Sequence, residues 1–342
     1  MNNLQTLKFV FFSMTCLAAI AVIAVLMSQE NHVTKGINHL SIFTDKATIC
    51  YEDQPLRDDK GNTSGNTNIP IIYFVTPTYP RREQIPELTR LAQTLMHVND
   101  LRWIVADDNT KCNPPLVKLL KKFGIPLTVI ASPMAKRFWS NDKMKMPRGV
   151  ANRRAALAWI RNNVKRGVLY FGDDDNTFDL ELFDQIRYTK KVSMLPVGLI
   201  GEFGVSSPVV EQGKVIGFFD SWVADREFPI DMAGFAVSVE FLNKSPEATM
   251  PYKVGYEEDM FLKSLGLHVE DIEPVAENCT KILVWHTQTT QKPVATLRLT
   301  YEQSGTSLDK LLKELYTYGV ASRNYEKGVK TFYTSGRIRT EV

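Results

Sequence analysis

The chain opens with an uninterrupted apolar stretch, "FVFFSMTCLAAIAVIAVLM" from Phe9 to Met27, that carries no charge. At roughly 1.5 Å per helical residue, this run is long enough to cross the hydrocarbon core of a bilayer. Cleaved leader peptides carry apolar cores of only about 7–15 residues, so the stretch reads as a retained signal-anchor rather than a leader. Lys8 precedes it and Glu30 is the first charge after it. That asymmetry leaves residues 1–8 as a cytosolic tail and sends the rest into the secretory lumen. Residues 28–68 are polar, end in "RDDKGNTSGNTN" and hold no sustained period of 2 or 3.6. They read as a flexible stem.

From residue 69 the pattern becomes that of a folded domain. Ile71–Val75 is continuously apolar, as in a strand covered on both faces. The periodicity then predicts a helix over Pro86–Val98, a strand over Leu101–Ala106, a helix over Pro115–Phe123 and a strand over Leu127–Ala131. A helix over Gly149–Val164 and a strand over Val168–Phe171 follow. This alternation predicts an α/β fold with a mostly parallel central sheet flanked by helices. Such sheets bind ligands at the carboxyl ends of their strands. Polar residues gather there: Thr76 to Tyr79 after the first strand, Asp107 and Asp108 after the second, Asp173, Asp174 and Asp175 after the fourth.

Beyond Asp179 the elements mix. Leu180–Thr189 reads as a helix, "VVEQGKVIGFFD" as a hairpin with a Gly-containing turn, and "DMAGFAVSVEFL" as a strand. Tyr256–Leu265 reads as a helix and "KILVWHT" as a strand. Leu308, Leu311, Leu312 and Leu315 recur at helical spacing, with Ser307 as the N-cap.

Composition narrows the class. The 342 residues carry a net charge of only +3 with no basic stripe, which argues against a nucleic-acid binder. Four cysteines are too few for a disulfide scaffold. Cys50, in the stem, is the candidate for a link between two chains, while spacing leaves open whether Cys112 meets Cys279. Sequons at Asn62, Asn243 and Asn278 fit a lumenal domain.

Three constellations carry candidate chemistry. The first is Asp173-Asp174-Asp175, whose mutual repulsion is relieved by a divalent cation such as Mg²⁺ or Mn²⁺ bridging to a diphosphate. The second is "MPRGVANRRAALAWI", which sets Arg148, Arg153 and Arg154 at a helix start, where the dipole also favours anions. The third is "VGYEEDMFLKSLG": Glu257, Glu258 and Asp259 are each able to serve as a base toward a sugar hydroxyl, and spacing does not choose among them. His286 at a strand end, and Trp222, Arg226 and Asp231 in "SWVADREFPIDMAGF", complete the set.

The motifs "VTPTY", "PRGVANRRAALAWI", "LYFGDDDNTF", "PVGLIG", "FPIDMAGFAV" and "NCTKILVWHT" together resemble the animal β-1,3-glucuronosyltransferases of the Golgi, from about Pro70 to His286. The resemblance implies a nucleotide-sugar-binding fold of the GT-A type and a single-pass type II Golgi membrane protein with a lumenal catalytic domain. It implies Mn²⁺-dependent transfer of glucuronic acid from UDP-glucuronate to the 3-hydroxyl of a terminal galactose, with inversion, by a homodimer. It also implies roles for individual residues. Pro77, Thr78, Tyr79 and Asp107 would hold the uridine, and Arg148 and Arg153 the UDP or donor sugar. Asp173 and Asp174 would bind ribose and sugar hydroxyls, and Asp175 the Mn²⁺. Glu258 would be the general base, Trp222, Arg226 and Asp231 would meet the acceptor, and His286 the donor's diphosphate or carboxylate.

On this basis residues 69–176 form the UDP-sugar-binding part, 177–300 the acceptor-binding part and 301–342 a C-terminal extension longer than the family leads one to expect. Two departures stand out. Gln288 follows His286-Thr287 where the family carries Arg, and Ser206 stands where acceptor-side members carry Glu. These leave the acceptor open between the glycosaminoglycan linker and N-acetyllactosamine ends. They keep two alternatives in play: a different UDP-sugar donor, or a catalytically silent lumenal glycan-binding protein. A metal-dependent lumenal phosphohydrolase is a third and weaker alternative.

Overall fold

A computed structural model describes residues 47–54, 69–142, 145–222, 224–289, 293–298, 307–335 and 338–341. The apolar stretch 9–27, the sequon at Asn62 and most of the stem lie outside the described residues, and among those described no helix is long and apolar enough to cross a membrane. The described residues fall in one compact unit, Asp45–Val342.

In chain order its first strands are β1 (Thr48–Glu52), β2 (Ile72–Thr78), β3 (Leu101–Asp107), β4 (Leu127–Ala131), β5 (Val168–Phe171) and β6 (Thr177–Phe178). Next come β7 (Val192–Met194), β8 (Val197–Gly198), β9 (Val205–Glu211), β10 (Lys214–Phe219), β11 (Phe235–Ser238), β12 (Ile272–Pro274) and β13 (Val284–Trp285). The main sheet runs β1-β4-β3-β2-β5-β11-β7-β12. β4, β3, β2 and β5 are parallel, as the alternation predicts, whereas β11 runs antiparallel to both β5 and β7, and β1 antiparallel to β4. The sheet is therefore mixed. Period-2 side-chain alternation splits the central strands between two cores. Tyr73, Val75 and Ile104 pack with the helix Val150–Asn163 on one face, while Ile72, Phe74, Trp103 and Val105 pack with the helices Gln84–Leu95 and Pro114–Lys121 on the other.

The chain steps from β2 outward to β3 and β4, then returns by the helix Val150–Asn163 to lay β5 on the other side of β2. That reversal makes the β2/β5 boundary the switch point of the sheet, the place where open α/β sheets leave a crevice for ligands. A second sheet, β10-β9-β8-β13-β6, stands beyond it and brings Trp285 and His286 toward the same end.

Three expectations need correcting, and the open question of Cys112 and Cys279 is answered. Thr48–Glu52 is not stem: it pairs with β4, and Cys50 is bonded to Cys112 within the chain, so Cys50 does not link two chains. Cys279 is a free thiol and does not meet Cys112. "DMAGFAVSVEFL" is no single strand; Asp231 caps a 3-10 turn, β11 follows, and Ser238 caps the helix Val239–Lys244 by accepting from the amide of Phe241. The segment "KILVWHT" contributes only Val284–Trp285 to a strand. The hairpin is present as β9–β10, turning at Gln212 and Gly213, both at positive φ. Two strands of the C-terminal extension, β15 (Ala321–Asn324) and β16 (Val329–Lys330), pair in parallel with β14 (Ala295–Arg298), which precedes the extension, in the order β15-β14-β16. The leucine-rich helix Ser307–Thr317 lies in the extension, and its Leu308, Leu312 and Leu315 pack with Leu297 of β14.

Candidate functional site

The strand ends at the switch point carry a buried polar lattice. Thr78, last in β2, donates its hydroxyl to Asp174 at 2.6 Å, bridging β2 to the loop after β5. Gln84 donates to Thr78 at 3.2 Å and to Asp107 at 3.1 Å, which ties the end of β3 into the same lattice. Arg81 clasps both oxygens of Asp174, at 2.8 and 2.7 Å, pairs with Glu87 and lies 4.5 Å over the Tyr79 ring. Burial works against the Arg81 charge, but Asp174 and Glu87 more than offset it and raise its pKa. Both oxygens of Asp174 thus have protein donors. Asp107 is different: its Oδ2 is buried with no hydrogen-bond partner, and burial pushes its carboxyl up to about 6 against the pull of Gln84.

Two glycines make this arrangement fit. Gly172 precedes the triplet, and a Cβ there would lie 2.2 Å from the Phe74 ring, so only glycine lets the loop leave the sheet here. Gly149 starts the helix Val150–Asn163 at φ +73°, and a Cβ there would meet the Arg153 guanidinium at 2.4 Å. Its absence lets Arg153 fold back over the helix N-terminus and pair with Asp173. Arg148 is exposed on the approach to that helix. Arg154 points elsewhere: it donates to the Met250 carbonyl at 2.8 Å and stacks over Tyr252, joining the helix to its neighbour.

Asp175 is the acid left over. Its backbone carbonyl accepts from Arg90 and Thr287, but no hydrogen bond or ion pair to its carboxylate is found among the described residues. Burial, reinforced by the charges of Asp173, Asp174 and Glu87 and partly offset by His286, pushes it up to about 7. Oxygens of Glu87, Asp174 and Asp175 lie within 4.8 Å of one another, a group able to hold a metal ion. Since Arg81 already neutralises the first two, Asp175 is the carboxylate free to ligate. The all-oxygen donor set fits a hard divalent cation and not a thiolate-seeking one.

Across the crevice a second group forms around Asp231. The Asp231 amide donates to the Ser206 hydroxyl at 3.1 Å, its Oδ1 accepts from Ala233 at 3.0 Å, and its Oδ2 lies 3.8 Å from His286 Nδ1. His286 is fixed by its own amide donating to Gly198 at 2.9 Å, and Gln288 sits 3.0 Å from its Nε2. Burial raises Asp231, while His286 acts against the rise.

The helix Glu257–Ser264 separates the three acids that spacing leaves equal. Asp259 is buried and accepts from the amides of Glu227 and Phe228 at 2.8 and 3.0 Å, a structural role. Glu257 is raised mainly by burial. Burial, reinforced by the charge of Asp231, pushes Glu258 up to about 8, with Arg153 pulling the other way. Trp222 is exposed, and its indole nitrogen stands 3.2 Å from where a Cβ on Gly255 would be, so the ring lies over the approach to this helix. Arg226 is not presented to that surface. Its buried guanidinium holds Asp220 at 3.2 Å and the Trp222 carbonyl, bracing the loop.

The structure thus gathers Thr78, Asp107, Asp173, Asp174, Asp175 and Arg153 on one side, and Asp231, His286 and Glu258 on the other. Of the sequons, Asn278 is exposed in a left-handed turn, whereas the Asn243 amide nitrogen donates to the Val164 carbonyl. Arg81, Glu87 and Gln84 escape the sequence reading because their partners lie up to 93 residues away. The only local hint was a cation directly after the polar end of a strand.

Residues 91–290 match glycosyltransferase family 43. A Drosophila melanogaster protein named galactosylgalactosylxylosylprotein 3-beta-glucuronosyltransferase S is 56% identical over 286 residues, which span 82% of this chain and 69% of that protein. The Caenorhabditis elegans galactosylgalactosylxylosylprotein 3-beta-glucuronosyltransferase sqv-8 is 42% identical over 73% of this chain and 70% of its own length. The human galactosylgalactosylxylosylprotein 3-beta-glucuronosyltransferase 2 is 44% identical over 65% of this chain and 70% of its own.

Proposed function

The chain belongs to glycosyltransferase family 43, and from that premise we propose that it transfers glucuronic acid from UDP-glucuronate to the 3-hydroxyl of a galactose that ends a glycosaminoglycan linker glycan. The observation that supports this reading is a buried acid group able to hold a metal ion at the strand ends, together with Glu258, whose proton affinity burial and the Asp231 charge raise. The names of the relatives supply the donor and acceptor classes.

In this reading the fold is of the GT-A type, and the switch-point crevice takes the donor. Asp107 presents its unpartnered buried oxygen to the uracil N–H, with Pro77, Thr78 and Tyr79 walling the base. Arg153 and the exposed Arg148 meet the diphosphate, and Asp173, which Arg153 positions, meets ribose or sugar hydroxyls. Asp174 acts through its contacts with Thr78 and Arg81, setting the angle of the loop. Asp175 would hold Mn²⁺, which when bound offsets the negative charge that grows on the leaving diphosphate.

Glu258 removes the proton from the acceptor 3-hydroxyl as that oxygen forms its bond to C1 of glucuronate. The C1–O bond to UDP breaks on the opposite face, its electron pair leaves with the diphosphate, and the anomeric centre inverts. Asp231, neighbour to Glu258, raises the proton affinity of that base and orients the acceptor, while His286 contacts the donor's anionic groups. Trp222 forms the acceptor floor at the mouth. The apolar stretch 9–27 anchors the protein in the Golgi membrane as a type II homodimer with its catalytic domain in the lumen.

Gln288 motivates the second reading, a different UDP-sugar, because a neutral amide beside His286 offers a donor carboxylate one cation fewer. A panel of UDP-sugars against a galactosyl-galactoside acceptor decides between them. Transfer from UDP-glucuronate in preference to UDP-glucose and UDP-galactose supports the primary reading. Equal or greater use of a neutral sugar overturns it.

A further inference from the structure

The backbone carbonyl of Asp175 is gripped from two sides. Arg90, on the exposed face of the helix Gln84–Leu95, donates an Nη2 hydrogen to it at 2.8 Å, and Thr287, directly after His286, donates its hydroxyl. One donor lies 85 residues before Asp175 and the other 112 residues after it. A carbonyl oxygen has two lone pairs, and here both are taken. Neither Arg90 nor Thr287 has a part in the reaction as set out above.

Both donors are themselves held. Leu88, Leu91 and Ala92 bury the inner face of the helix in the core, which fixes the base of the Arg90 side chain. Thr287 has one hydroxyl hydrogen, and it goes to Asp175, so the 3.1 Å contact between the Thr177 and Thr287 hydroxyls is donated by Thr177. Thr177 pairs with Trp285 across β6 and β13. The chain from Thr177 through Thr287 to Asp175 therefore ties the loop after β5 to the second sheet. Within that loop the Asn176 amide donates to the Asp173 carbonyl at 3.2 Å, closing a turn with Asp174 and Asp175 at its centre.

The clamp acts on the one acid of the metal-competent group whose side chain is not aimed by a partner. Arg81 fixes the Asp174 carboxylate and pairs with Glu87, whereas the Asp175 carboxylate has no hydrogen bond or ion pair among the described residues. The direction of such a side chain follows from its backbone and from the few staggered rotamers that backbone allows. Holding the Asp175 peptide by its carbonyl thus sets where the carboxylate points, and it points to within 4.8 Å of oxygens of Glu87 and Asp174.

Resting on the reading of Asp175 as the metal ligand, we propose that Arg90 and Thr287 are positioning residues for the metal: together they hold the Asp175 peptide so that its carboxylate meets the cation. Partners that orient a metal ligand from outside the coordination shell are worth about 10–100-fold in metal affinity. A role through charge alone gives the opposite sign for Arg90. Its guanidinium is a cation beside the acidic group, so it would repel a divalent ion, and its removal would tighten metal binding. Thr287 carries no charge, and its hydroxyl acts on the carbonyl only as a donor.

The test measures Mn²⁺ affinity of the full-length protein with UDP present, from the electron paramagnetic resonance signal of free Mn²⁺. It compares wild type with Arg90→Ala, Arg90→Lys, Thr287→Val, Thr287→Ser and Asp175→Asn, and takes the thermal midpoint and the calorimetric UDP affinity in EDTA for each. The Kd for Mn²⁺ should rise about tenfold in Arg90→Ala and in Thr287→Val, and stay within about threefold in Arg90→Lys and Thr287→Ser, which keep a donor. UDP affinity in EDTA should stay close to that of wild type throughout. An unchanged or lower Kd for Mn²⁺ in folded Arg90→Ala or Thr287→Val overturns the proposal. So does an equal loss of UDP affinity in EDTA, which would show a general disturbance of the crevice. If wild type binds no Mn²⁺, or Asp175→Asn binds it as wild type does, the metal reading itself falls and this proposal with it.

Discussion

Removing Arg81 is the perturbation with the largest calculable consequence away from the reacting atoms. Its guanidinium is the shared cation of Asp174 and Glu87, and the side chains of all three are at least nine-tenths buried. Arg81→Met keeps much of the side-chain volume and removes the charge, which leaves two buried carboxylates uncompensated. Breaking a buried pair by deleting one partner costs about 3–5 kcal/mol. For a domain of this size that corresponds to a fall in Tm of roughly 6–15 °C, at about 2–3 °C per kcal/mol. The loss depends on pH. Without Arg81 the Asp174 carboxyl loses the partner that acts against its burial and titrates higher in the folded state, so the variant takes up protons on folding and loses stability as pH rises. Thermal unfolding of wild type and variant at pH 5.5 and pH 8 reads this directly: the gap in Tm should be wider at pH 8. The triple variant Arg81→Met, Asp174→Asn, Glu87→Gln should recover most of the loss, because no buried charge remains. A gap that is absent, or equal at both pH values, would refute the lattice as a charge-balanced unit.

Other expectations follow from the same geometry. Glu258→Gln should lower kcat by about 10²–10⁴-fold, the usual contribution of a general base, while calorimetric UDP affinity stays within about twofold. Because the folded pKa of Glu258 lies near 8 and its ordinary value is 4.5, wild-type stability should decline from pH 4.5 to 8 more steeply than that of Glu258→Gln, as chemical denaturation would show. On the same grounds kcat/KM should rise with pH toward about 8. Gly149→Ala should weaken UDP binding, since the new Cβ displaces the Arg153 guanidinium. Cys50→Ser should cost about 4 kcal/mol in denaturant unfolding, the chain-entropy value for a loop closed across 62 residues. Non-reducing electrophoresis should show no Cys50-linked dimer. EDTA should abolish transfer and added Mn²⁺ restore it, with Asp175→Asn unresponsive to either.

What the sequence made legible was whatever depends on neighbours along the chain. The apolar runs of β2 to β5 and the intervening periodic segments sufficed for the parallel half of the sheet, because burial on both faces leaves a local signature. The acid triplet was readable as a strand-end cluster for the same reason. What failed was long-range. Thr48–Glu52 looks like stem because an edge strand needs only one covered face, and here its partner β4 and the bond from Cys50 to Cys112 hold it in place. β11 carries the same apolar run whether parallel or antiparallel, so its direction was not encoded locally. In the site, three adjacent acids in the helix Glu257–Ser264 are alike by propensity. Only the fold shows that Asp259 anchors the 227–228 backbone while Glu258 feels the charge of Asp231. Arg226 shows the converse: its position beside Trp222 reads as acceptor-facing, but Asp220 takes its charge inward.

The central claim is that Glu258 is the base of an inverting transfer of glucuronate. The most direct measurement is the NMR spectrum of the product formed by the full-length protein from UDP-glucuronate and a galactosyl-galactoside, run beside Glu258→Gln with UDP binding verified. The account predicts a β1,3-linked glucuronosyl galactose from wild type and essentially none from the variant. An α-linked product, or undiminished transfer by Glu258→Gln, would contradict it.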